Sequence, residues 1–109
     1  MPKYTIKFMP EYSSTSLWSG NDITRTAHGI NIEYSSLNLS EALIMRLKEF
    51  DNRILGIIDW SDPSAPSPLT KAEQLQIYNE GVLLLEMVRK ELGNDYEVID
   101  EHGWIYPGL

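Results

Sequence analysis

The chain has 109 residues, 42% hydrophobic and 23% charged, with no cysteine and a formal net charge of −7. That length fits one domain with a single modest core, and the composition excludes an intrinsically disordered chain. The missing cysteines exclude disulfides, thiolate nucleophiles and cysteine-ligated zinc. The acidic balance argues against direct nucleic-acid binding, which needs basic surface to neutralise phosphates.

The N-terminus reads Met-Pro-Lys-Tyr-Thr-Ile-Lys-Phe, and Lys7 interrupts any hydrophobic signal core. No apolar run approaches the roughly 18 residues of a membrane span. Small secreted domains commonly carry disulfide staples, so a soluble cytoplasmic protein is expected. Tyr4, Ile6 and Phe8 alternate with polar neighbours, which predicts a strand with one buried face, ended or bulged by Pro10. Leu17 and Trp18 suggest a short strand or an anchor packed on the core. Ser19-Gly20-Asn21-Asp22 marks a turn. Residues 23–26 read as a second short strand, and Ile30, Ile32 and Tyr34 as a clearer one.

Ser40 is a good N-cap for a first helix, whose stripe is Leu43, Leu47, Phe50 and Ile54. Thr70-Lys71-Ala72-Glu73 is a capping box opening a second helix, with Leu75, Tyr78, Val82, Leu85 and Leu92 as its expected stripe and Val88 or Arg89 between the last two. Gly81 in mid-helix costs about 1 kcal/mol against alanine, so a close approach of the sheet or of the first helix is expected there. Gly93 stops the helix, and residues 96–100 form a last strand. The order is strand, one or two more strands, helix, helix, strand. It predicts a single α+β domain over residues 1–109, a two-layer sandwich of a small, mostly antiparallel sheet on two amphipathic helices.

Catalytic motifs are sparse. The serines, including Ser13, Ser14 and Ser16, belong to no G-x-S-x-G elbow, and the glycines are too scattered to cradle a phosphate. His28 and His102 are the two histidines. In a strand, Asp100 and His102 share a face, so with His28 they could form a metal site only if the fold converges them. No metal or cofactor is expected, and no enzyme.

Acid beside aromatic is the more informative pattern. It occurs at Asp59-Trp60-Ser61-Asp62, at Tyr96-Glu97, at Asp100-Glu101-His102-Gly103-Trp104-Ile105-Tyr106, and more weakly at Glu33-Tyr34. Exposed large aromatics anchor protein interfaces, and carboxylates around them meet lysine and arginine on a basic partner. Asp95, Glu97, Asp100 and Glu101 fall in a final fifteen residues that hold no lysine or arginine.

Leu17-Trp18-Ser19, Gly-Ile-Asn-Ile-Glu-Tyr at 29–34, Leu37, Leu39-Ser40 and the proline-rich loop form one pattern with Asn79-Glu80-Gly81, Leu84 and Glu91 to Val98. Together they resemble small bacterial immunity proteins encoded beside toxins of contact-dependent growth inhibition and related polymorphic toxin systems. The resemblance covers about residues 17–99 and is architectural, so it transfers no binding residues. It implies a cytoplasmic, non-enzymatic inhibitor, monomeric in a 1:1 complex with one toxin C-terminal domain. That inhibitor would cover the toxin's active site or substrate-binding surface. Many such toxins are nucleases with basic surfaces, and an acidic inhibitor suits that partner. On this reading the contacts are Asp59, Trp60, Asp62, Glu97, Asp100, Glu101 and Trp104, with no nucleic acid or membrane involved. A non-inhibitory interaction or scaffold domain of a bacterial complex is the alternative.

The connection Asp59 to Leu69 carries proline at 63, 66 and 68 and is long for a helix–helix loop. Proline limits its freedom, so it reads as a semi-rigid strap that either touches a partner or spans the core.

Overall fold

Local signals place most of the chain. In the computed structural model, which describes residues 2–106, Tyr4–Phe8 is β1 and Leu17–Ser19 is β2. A short helix α1 spans Asp22–His28, followed by α2 at Glu41–Ile54, α3 at Lys71–Leu92 and β3 at Tyr96–Asp100. Ser40 caps α2 by accepting from the Leu43 N–H (3.2 Å). The capping box at α3 is complete: Glu73 N–H donates to Thr70 Oγ1 (3.1 Å) and Thr70 N–H to Glu73 Oε1 (2.9 Å). Gly93 sits at φ +78°, where a side chain would be strained, and its N–H bonds to the Arg89 carbonyl.

The sheet order is β2-β1-β3. β1 pairs antiparallel with β2 and parallel with β3, with Tyr4 beside Tyr96 and Phe8 beside Asp100. The fold is the expected α+β sandwich with the sheet packed against helices, and the sheet itself is mixed. Parallel pairing needs a long crossover, and the whole stretch from β2 through α3 supplies it. Ile6, Phe8, Leu17 and Val98 are buried with Leu43, Leu47, Phe50, Ile54, Leu84 and Val88 in one core. Phe8 stacks on Phe50 with centroids 5.9 Å apart.

Three local expectations change. Residues 23–26 are helical, because Asn21 caps the turn by accepting from the Thr24 N–H (3.0 Å) and Gly29, at φ +84°, ends it. Only Thr24 is buried in that segment, so no period-2 face exists to dock on a sheet. Residues 30–34 do not form a regular strand. Asn31 makes a single bridge to Trp18, Ile30 stays 66% exposed, and Tyr34–Ser36 is a 3-10 turn. That turn aims the Tyr34 hydroxyl at Asp51 on α2 (2.6 Å).

The buried stripe of α3 is Ile77, Gly81, Leu84, Leu85 and Val88, while Val82 faces out and Leu75, Tyr78 and Leu92 are half-buried. The stripe centres on Gly81 because the segment after β3 crosses the helix there. A Cβ on Gly81 would lie 2.8 Å from Cδ2 of the His102 ring. The expected close approach exists, made by the C-terminal segment and, more loosely, by Phe50 of α2.

Candidate functional site

Two loops meet at the end of the sheet where β1 stops. Pro10 is buried just past β1, and its carbonyl accepts from the Trp104 indole N–H (3.0 Å). The Trp60 indole N–H donates to the Leu55 carbonyl (2.8 Å) in the 3-10 turn that ends α2. Tyr12 stands between the two tryptophans. Its ring centroid is 5.4 Å from Trp60 and 5.6 Å from Trp104, at interplanar angles of 80° and 70°. Both are the edge-to-face arrangement that aromatic quadrupoles favour. Trp60 is 57% exposed and Trp104 37%. The result is a ridge of three aromatic rings built from residues far apart in the chain, each indole pinned by its polar atom. Burial, with the Glu11 charge beside it, pushes the Tyr12 phenol up, so its O–H stays protonated.

Carboxylates flank the ridge on the same segments. Asp59 Oδ1 accepts from the Ser61 hydroxyl (2.6 Å) and backbone N–H (3.0 Å), and these bonds lower its pKa. Asp62 accepts from Ser64 Oγ (2.8 Å). Turn bonds from Asp62 N–H to Asp59 O and from Ala65 N–H to Asp62 O stiffen the loop, and Leu69 at its far end packs on the core. The loop is anchored to the core at Leu69 and presents an exposed face from Trp60 to Ser64. Glu101 is exposed, its backbone held by the Phe8 carbonyl (2.9 Å).

The other two predicted residues stand apart from the ridge. Glu97 lies beside Thr5 in the sheet, three residues and about 10 Å up β3 from Asp100. Asp100 is partly committed inward: its carboxylate bonds the His102 N–H (3.0 Å) and the His102 ring. Partial burial works to raise its pKa, but the His102 bonds and charge, with Arg89 nearby, outweigh it and hold the carboxyl below its ordinary value.

The histidines do not converge. His28 meets the Tyr96 hydroxyl (3.2 Å) at the start of β3. His102 follows the other end of that strand, fully buried, stacked on Tyr78 with centroids 4.5 Å apart. The metal arrangement of His28, Asp100 and His102 is therefore not assembled. Among the described residues no group of three or more His, Cys, Asp or Glu side chains could hold a metal ion. Ser16 Oγ donates to Asp51 (2.6 Å), not to a histidine.

That last bond belongs to a buried network. Asp51 Oδ2 accepts from the Tyr34 hydroxyl (2.6 Å), which in turn accepts from the Ser16 N–H (2.8 Å). Desolvation raises the Asp51 pKa despite the Ser16 and Tyr34 hydrogen bonds, and burial beside Asp51 pushes the Tyr34 phenol well up. A polar cleft of about 390 Å³ opens beside it, lined in part by Ser13, Asn31, Glu33 and Lys48. Ser13 is the one non-glycine at positive φ among the described residues (65°).

Tyr12 is the ridge residue that sequence reasoning missed. Glu11-Tyr12 carries the same acid–aromatic pairing as the other segments, placed just past Pro10, and that was the available signal. Among the described residues, no helix is long and apolar enough to cross a membrane.

No curated protein matches the chain. A family model described as Serratia CdiI immunity protein-like matches residues 4–100, from the first residue of β1 to the last of β3. The match spans both sheet termini and both long helices, and with it the chain belongs to the Serratia CdiI immunity protein-like family.

Proposed function

We propose that this immunity protein neutralises a basic nuclease toxin domain by covering its active site or substrate-binding surface with the Trp60–Tyr12–Trp104 ridge and the carboxylates around it. The convergence of two exposed tryptophans on Tyr12 carries the reading. Pinned indoles bury large area on binding while losing little side-chain freedom, which is why tryptophan and tyrosine dominate interface energetics. Asp59, Asp62, Glu101 and Glu97 would meet cations that otherwise hold nucleic-acid phosphates, and the net charge of −7 would speed the encounter. Asp100 contributes charge from behind, through a carboxylate shared with His102. The stiff proline loop keeps Asp59 and Trp60 in place before contact. Family membership supports toxin binding, and the protein on this reading acts by occupancy, in the cytoplasm, as one inhibitor per toxin domain without catalysis of its own.

The test is affinity for the toxin domain encoded beside this chain. Trp60→Ala and Trp104→Ala should each cost about 2 kcal/mol, near 30-fold in Kd. The melting temperature of Trp60→Ala should stay within a few degrees of the parent. Trp104→Ala, which gives up a ring only 37% exposed and its bond to the Pro10 carbonyl, should melt lower and is compared at a temperature where it is fully folded. A double variant that folds and binds with parental affinity refutes the ridge. Glu101→Lys should slow association, more strongly at low salt.

A further inference from the structure

We propose that the outer edge of β3 is a second docking element, which takes an extended basic segment of the same toxin domain as an added strand. The proposal rests on the toxin-binding reading above and adds to it the backbone of β3, which that reading does not use. Hydrogen-bond directions alternate along a strand. Tyr4 N–H donates to the Asp95 carbonyl and Glu101 N–H to the Phe8 carbonyl, which fixes the phase of the parallel β1–β3 ladder. Glu97, Ile99 and Glu101 therefore turn their backbone groups to β1. Tyr96, Val98 and Asp100 turn theirs to the outside, where no other strand among the described residues pairs with them. Two outward groups are satisfied: the Tyr96 N–H by the Gly93 carbonyl (3.3 Å), and the Val98 carbonyl by the Arg89 guanidinium (2.7 and 3.2 Å). The Val98 and Asp100 N–H groups have no backbone partner among the described residues.

A cleft of about 570 Å³ runs along this edge, lined in part by Arg89, Asn94, Glu97, Ile99 and Asp100. It leaves room beside the two outward N–H groups without a backbone partner, on which strand addition can start, with Arg89 holding the Val98 carbonyl until an added strand replaces it. The charge selects the occupant. Glu97 and Asp100 lie on the strand, Asp95 and Glu101 bracket it, and Arg89 is engaged by Glu86 and Val98. A second copy would set these carboxylates against their own like, which disfavours pairing between copies. A strand carrying lysine or arginine is favoured instead.

Amide hydrogen exchange by NMR, on the free chain and on its complex with catalytically inactive toxin domain, tests this directly. The Val98 and Asp100 amides should gain at least about tenfold protection on binding. Those of Glu97 and Ile99, already paired to β1, should change less and serve as internal references. That alternation is not produced by side-chain contact. If the complex forms and the Val98 and Asp100 amides exchange as in the free chain, the edge proposal is overturned while the ridge stands. If no complex forms, both fall. Glu97→Lys should raise Kd about fivefold, with a larger effect at low salt. Unchanged affinity overturns the basic character assigned to the added strand.

Discussion

Replacing Gly81 with alanine opposes two effects of known sign. In an exposed helix interior the change would stabilise by about 1 kcal/mol, because glycine loses more backbone freedom on folding. Here the added methyl would sit 2.8 Å from His102 Cδ2, 3.2 Å from Nε2 and 3.3 Å from Phe50 Cζ. The imidazole cannot retreat cheaply. It is fully buried, stacked on Tyr78, tilted against Phe8 (5.4 Å), and tied through its other nitrogen to Asp100. Overpacking of a filled core costs about 1–3 kcal/mol. Gly81→Ala should therefore lose the helix gain entirely and destabilise by up to about 2 kcal/mol net, lowering Tm by up to about 9 °C for a chain of this size. Thermal and urea unfolding followed by circular dichroism measure it. Gly56→Ala is the control, since its Cβ would meet nothing within 4 Å and its φ is not positive. That change should be neutral or slightly stabilising. In a His102→Ala background the clash disappears and Gly81→Ala should turn stabilising. A Gly81→Ala protein stabilised by the full helix gain of about 1 kcal/mol, as at an open position, refutes the packing argument.

Tyr34→Phe removes one hydroxyl but strands two partners, the buried Ser16 N–H and Asp51 Oδ2. It should cost about 2 kcal/mol by urea unfolding, and a loss below about 0.5 kcal/mol would show that neither partner depends on Tyr34. Stability against pH should have two limbs of opposite sign. Asp59, Glu73 and Asp100 have lowered folded values, so their contribution is complete above about pH 4.5 and fades as pH falls through those values. The raised value of Asp51 acts oppositely, with stability greatest when it is protonated and decreasing as pH rises through its folded pKa. Asp51→Asn should flatten that upper limb and leave the acid limb in place. Parallel curves for variant and parent across both limbs would remove Asp51 as its source.

The parts legible in the sequence were those that neighbours in the chain decide. Ser40, the Thr70–Glu73 box and Gly93 set the ends of α2 and α3, because caps satisfy backbone groups within a turn. Alternation placed β1, the apolar pair Val98 and Ile99 after the Gly93 stop placed β3, and the α2 stripe is buried as its spacing predicts. The acid–aromatic segments at Trp60 and Trp104 were also visible as patterns. Tertiary structure alone decided where those patterns go. The parallel β1–β3 pairing joins the two ends of the chain and brings Trp104 to the Pro10 carbonyl, and Tyr12 then links it to Trp60. The same crossing places His102 on Gly81, which rotates the buried face of α3 from the one its apolar residues suggest. Short-range hydrogen bonding reads out in sequence order. Burial depends on which distant surfaces meet, so Ile23 and Ile30, apolar and strand-like in their own neighbourhoods, are left half or more exposed.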